Sequence, residues 1–120
     1  MTEAKVTMSV RLVTDSASVI DIQGEITSFA EDILMGAYTQ ATSGGAKVII
    51  LNFERLEYMN SGGIGLLVTM LIRANRQEQT LSAFGLTEHY KQIFELTRLD
   101  EAIKIYASES DALAAANGAA

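Results

Sequence analysis

Val6, Met8, Val10 and Leu12 alternate with Thr7, Ser9 and Arg11, the period of two expected of a strand with one buried face. A turn at Thr14-Asp15-Ser16-Ala17 follows. Ser18-Val19-Ile20-Asp21-Ile22 then predicts a second strand that closes a hairpin and ends at Gly24. From Ser28 the period changes. Ser28 with Glu31 fits a capping box, and Phe29, Ile33, Ala37 and Ala41 fall along one face of a helix. Ser43-Gly44-Gly45 stops that helix. Lys47 to Phe53 is an almost unbroken apolar run, as in a central strand covered on both faces. A loop is expected next, leading into Met59-Asn60-Ser61-Gly62-Gly63, after which Ile64, Leu67, Val68, Leu71 and Ile72 mark a helical stripe. Thr80 to Phe84 reads as a short strand closed by Gly85, and Thr87 caps a helix carrying Tyr90, Ile93, Phe94 and Leu96. Ala102 to Tyr106 is the last strand. Ser108 caps a helix from Glu109 to about Ala116, stopped by Asn117-Gly118.

The predicted order is β-β-α-β-α-β-α-β-α. Strands alternating with helices give an α/β fold: a mixed, mostly parallel sheet of four to five strands with about four helices, the first hairpin adding an antiparallel pair. The 120 residues form one domain, 1–120, ordered over about 5–116 with a frayed tail at 117–120. At 48% apolar and 20% charged residues the chain is too apolar to be disordered. The absence of cysteine excludes a disulfide framework and a thiolate nucleophile. The start, Met1-Thr2-Glu3-Ala4-Lys5, lacks the layout of a signal peptide, and the uncharged stretch Met59 to Ile72 is glycine-rich and too short to span a bilayer. A cytoplasmic location, away from membranes, is the expectation. Net charge is −6 and the basic residues are scattered, which argues against nucleic acid and favours a partner with a basic patch.

Candidate chemistry concentrates in Asn60-Ser61-Gly62-Gly63. Glycine where a strand gives way to a helix permits close backbone approach, and free N–H groups at a helix start welcome negative charge. Ser61 is therefore either a simple N-cap or a serine presented for recognition and phosphorylation. The cluster lacks G-x-G-x-x-G spacing and a P-loop lysine. On the following helix Leu66 and Met70, with Thr69 and Arg73 beside them, are either core or an exposed apolar patch for a partner. His89, the only histidine, has no recognisable nucleophile to serve, and Glu54, Glu57, Glu88 and Glu95 have no metal-ligand spacing. No catalytic group, metal or cofactor is expected.

Over nearly its whole length the chain resembles the STAS domain, the fold of anti-sigma factor antagonists and of the tails of sulfate transporters. The resemblance is carried by Ile22-Gln23-Gly24-Glu25-Ile26, by the apolar strand Val48 to Phe53, and above all by Tyr58-Met59-Asn60-Ser61-Gly62-Gly63-Ile64-Gly65. Gly85 and Leu99-Asp100 agree with it weakly. It implies a free-standing bacterial antagonist that binds a serine-kinase anti-sigma factor of the histidine-kinase-like ATPase class. Phosphorylation near Ser61 would end that binding, and a PP2C-type phosphatase would restore it. Asn60, Ser61, Gly62, Gly63, Leu66, Met70 and Arg73 are the implied partner-binding residues. Two positions depart from the family pattern: Asn60 stands in place of Asp, and Gly62 in place of a second hydroxyl. If the family's second hydroxyl is the acceptor, this chain is permanently binding-competent. Alternatives are a scaffold subunit of a larger STAS assembly and a small-anion or nucleotide module; a monomer or weak dimer is expected.

Overall fold

The computed structural model describes residues 5–118. Its elements are β1 (Val6–Leu12), β2 (Ala17–Ile26), α1 (Glu31–Thr42), β3 (Val48–Met59), α2 (Ser61–Arg76), β4 (Thr80–Phe84), α3 (Glu88–Leu96), β5 (Lys104–Tyr106) and α4 (Glu109–Gly118). Short 3-10 turns at Ser28–Ala30 and Leu99–Glu101 precede α1 and β5. The strands form one sheet in the order β1-β2-β3-β4-β5, with β1 antiparallel to β2 and every later pair parallel. The order predicted from periodicity is the order observed.

The central strands bury both faces, as their composition requires. Ile49, Leu51 and Phe53 of β3 join Leu34 and Tyr38 of α1, Leu67 and Met70 of α2, and Tyr90 and Phe94 of α3 in the main core. On the opposite face Ile50 packs with Ala17, Val19 and Phe84 beneath Ala112 and Ala116 of α4. No helix among the described residues is long and apolar enough to cross a membrane.

Several boundaries differ from expectation. β2 does not end at Gly24 but runs to Ile26: the ladder with β3 shifts register between Asp21 and Gln23 and again between Gly24 and Glu25. Such bulges keep a strand paired while bending it. Gly24 adopts φ +107°, and a Cβ there would lie 2.2 Å from the Lys5 carbonyl oxygen, so no other residue fits. β3 likewise continues as strand through Glu54 to Met59, where a loop was expected, because β2 pairs with it as far as Ile26 opposite Met59. Thr27, not Ser28, caps the first turn: its Oγ1 accepts from the Phe29 N–H at 3.3 Å. That turn throws Phe29 outward, and α1 buries Leu34, Ala37, Tyr38 and Ala41 instead. Leu96 at the end of α3 is exposed, and β5 begins only at Lys104. The Ser108 cap is observed, its Oγ accepting from the Asp111 N–H at 3.1 Å. α4 passes through Asn117 to Gly118 rather than stopping before them; Ala119 and Ala120 of the expected frayed tail lie outside the described residues.

Candidate functional site

The long β2–β3 ladder places the Asn60-Ser61-Gly62-Gly63 junction against the chain that leaves β2. Tyr90 of α3 fixes the end of β3, its hydroxyl accepting from the Met59 N–H at 2.8 Å. The Asn60 N–H then reaches back to the Ile26 carbonyl at 3.3 Å. Asn60 is extended (φ −107°, ψ −174°), and its Oδ1 accepts from the Gly63 N–H at 3.0 Å. Asn60 is therefore the N-cap of α2, and Ser61 is not. Ser61 is the first helical residue, exposed, with the helix start beneath it.

The glycines of the junction have different neighbours. A Cβ on Gly63 would lie 2.2 Å from the Ile26 carbonyl oxygen and 2.8 Å from Met59 Cγ, so this glycine lets α2 close on the end of β2. A Cβ on Gly62 would come within 3.0 Å of the Ser28 amide nitrogen, a tight but not forbidden approach. Around Gly65 there is open space. The turn Ser28–Ala30 and the start of α2 are thus neighbours, and within that turn Phe29 is 55% exposed.

α2 is buried along Gly63, Leu66, Leu67, Met70 and Ala74, one residue earlier than the stripe read from hydrophobicity. Of the two readings of Leu66 and Met70, the core one holds: they are 8% and 0% exposed and cannot form a contact face. The apolar residues that α2 turns outward are Val68 (38%) and Ile72 (49%), which share a face with Ser61 and Gly65 at helical spacing. Arg73 is also exposed, but twelve residues along α2 it stands about 18 Å from Ser61. Asn60, Ser61, Gly62 and Gly63 are brought together; Arg73 is not.

His89 is exposed on α3 with its ring 4.9 Å from that of Tyr90, and Glu54, Glu57, Glu88 and Glu95 are all exposed. Among the described residues no group of His, Asp and Glu could hold a metal ion. The arrangement offers an exposed hydroxyl at the start of a helix face that also carries Gly65, Val68 and Ile72. Sequence reasoning missed Phe29 as a surface residue because it falls in register with an apolar helical stripe; Thr27, an equally good cap one residue earlier, was the available signal.

Known proteins share this design. The chain is 27% identical over 86 residues to an anti-sigma-B factor antagonist of Staphylococcus aureus (strain NCTC 8325 / PS 47), covering 72% of this chain and 80% of that protein. It superposes on the unphosphorylated form of the anti-sigma factor antagonist SpoIIAA with a TM-score of 0.73 at 23% identity, covering 93% and 99% of the two chains. An anti-sigma factor antagonist from Mycobacterium paratuberculosis gives a TM-score of 0.78 at 20% identity, covering 97% and 99%. The family model of the STAS domain matches residues 9–112, nearly the whole chain. The chain belongs to the STAS domain family.

Proposed function

We propose that this chain is an anti-sigma factor antagonist that acts by partner switching in the bacterial cytoplasm. Unmodified, it binds a serine-kinase anti-sigma factor of the histidine-kinase-like ATPase class. The contact surface is built from Ser61, Gly65, Val68 and Ile72 of α2 with Phe29 beside them. Transfer of the ATP γ-phosphoryl group to Ser61 Oγ, with loss of the hydroxyl proton and release of ADP, ends the complex; a PP2C-type phosphatase reverses it. A phosphate adds about −1.5 to −2 charge, which a packed apolar contact cannot accommodate without solvent.

The observation that carries this reading is the exposure of Ser61 on the same face as the outward apolar residues of α2. Gly62 carries no hydroxyl, so in this reading the exposed Ser61 is the acceptor. The similarity to the anti-sigma-B factor antagonist of Staphylococcus aureus supports the assignment. Incubation with the cognate kinase and ATP should add one phosphate by intact mass, and Ser61→Ala should abolish it. A stable kinase complex that never becomes phosphorylated would instead establish the permanently active form.

A further inference from the structure

The two edges of the sheet are unlike. β5 is a three-residue strand, the short kind of edge that resists pairing with another chain. β1 has seven residues, pairs with β2 without a single register shift, and belongs to a chain with no proline. Its one charge, Arg11, lies near the C-terminal end of the strand. Arg11 reaches inward across the sheet to Asp21, with Nε 2.6 Å from Oδ2 and Nη2 2.8 Å from Oδ1, and on to Glu109 of α4 at 2.6 Å. Among the described residues β1 has neither the proline nor the bulge that commonly protects an edge, and its charge protection is limited to the inward-reaching Arg11 near one end.

Its hydrogen-bonding direction is fixed by the hairpin. The Glu25 N–H donates to the Lys5 carbonyl at 2.8 Å, and the Val13 N–H to the Ala17 carbonyl at 3.1 Å. In an antiparallel pair, residues alternate between turning their main-chain groups toward the partner and away from it. Lys5, Thr7, Ser9, Arg11 and Val13 thus face β2, while Val6, Met8, Val10 and Leu12 direct their N–H and C=O groups outward. Met8 and Val10 pack on the core yet remain half-exposed, and Leu12 is 60% exposed, because the sheet ends there.

We propose that β1 is the dimerisation edge of this protein and pairs antiparallel with β1 of a second copy about a two-fold axis through Ser9. The strand is self-complementary in that register. Val6 faces Leu12 of the second copy and Met8 faces Val10, each pair exchanging two main-chain hydrogen bonds. These residues lie on the core side of both sheets, so the half-exposed apolar surface becomes continuous across the axis. On the other side Thr7 meets Arg11, Lys5 meets Val13 and Ser9 meets Ser9, so no like charges oppose. One strand pair with a few apolar contacts is a small interface, of the size class that goes with weak, reversible association. This surface is separate from the α2 face and does not depend on the function proposed for it.

Sedimentation equilibrium of the full chain should show a mass that climbs from 13.0 kDa toward twice that value as the concentration rises. Ser9→Lys sets two ammonium groups opposite each other at about 4.5 Å between Cα atoms, in a non-hydrogen-bonded pair. It should weaken the dimer tenfold or more while leaving the circular dichroism spectrum and Tm unchanged. Ser9→Cys introduces the only thiol in the chain, and mild oxidation should cross-link it across the axis; Ser110→Cys, exposed on α4, should not cross-link. A chain that stays monomeric to about 0.5 mM overturns the proposal. So does a dimer that neither weakens with Ser9→Lys nor cross-links through Ser9→Cys, and so does an edge occupied only by an extended segment of a different protein.

Discussion

Gly62, Gly63 and Gly65 look alike in the sequence, but alanine should affect them in opposite directions. Gly65 lies within a sixteen-residue helix with no atom within 4 Å of a prospective Cβ. Gly65→Ala therefore gains the helix-propensity difference, about 0.5–1 kcal/mol, against no steric term. At Gly63 the same gain meets a Cβ 2.2 Å from the Ile26 carbonyl oxygen and 2.9 Å from its carbon. The Ile26 main chain, held in the β2–β3 ladder, cannot step aside. Relief requires α2 to move off the end of β2, which strains the Asn60–Ile26 hydrogen bond and the packing of Leu66 and Leu67. Overpacking of this kind costs about 1–3 kcal/mol or more, so Gly63→Ala should lose stability even after the propensity gain. For a domain of this size about 4 °C in Tm accompanies each kcal/mol. The expectation is a rise of about 2–4 °C for Gly65→Ala and a fall of several degrees for Gly63→Ala. Gly62→Ala, with its 3.0 Å contact, should lie between them. Thermal melts followed by circular dichroism decide it. Gly63→Ala melting at or above wild type would refute the close approach of α2 to β2, and with it the geometry that presents Ser61.

Met70→Ala should cost about 2–5 kcal/mol in denaturant unfolding, because Met70 is fully buried. Val68→Asp, on the outward face, should change stability by less than about 0.5 kcal/mol yet weaken binding to the anti-sigma factor in calorimetric titration. Asn60→Ala should lose about 0.5–2 kcal/mol with the Gly63 hydrogen bond, and Asn60→Asp should retain it. The Arg11 guanidinium, with help from Asn52, holds the Asp21 carboxyl below the usual carboxylate range. A depressed carboxyl stabilises the fold above its unfolded pKa of about 3.9 and loses that contribution as pH falls through the folded value. The Tm gap between wild type and Asp21→Asn should accordingly hold near neutrality and shrink below about pH 4; a gap that widens on acidification would contradict this.

Periodicity exposed the number, type and order of the elements because each buries one well-defined face. It failed where burial is not written in hydrophobic side chains. Gly63 is among the buried positions of α2, yet it adds nothing to a hydrophobic pattern, so the stripe was read through Ile64, Val68 and Ile72 and came out one position late. That error reversed the outward face, leaving Leu66 and Met70 as surface candidates while Val68 and Ile72 passed as core. β3 beyond Phe53 carries Glu54, Arg55 and Glu57, which suggested a loop. Past the reach of α4 one face of the sheet meets solvent, and a strand there needs few apolar residues. The bulges in the β2–β3 ladder leave no sequence mark other than Gly24. Ser61 and its flanking residues were legible from the motif. The part played by Phe29 depends on contacts between segments more than thirty residues apart, which no local pattern carries.

Paired calorimetric titrations test the central claim most directly: the cognate anti-sigma factor kinase against the unmodified chain, and against the chain carrying phosphate on Ser61 alone. The account predicts that the unmodified chain binds and that phosphorylation weakens binding at least a hundredfold, about 2.7 kcal/mol. Equal affinity for the two forms, or phosphate incorporated at a residue other than Ser61, would contradict it.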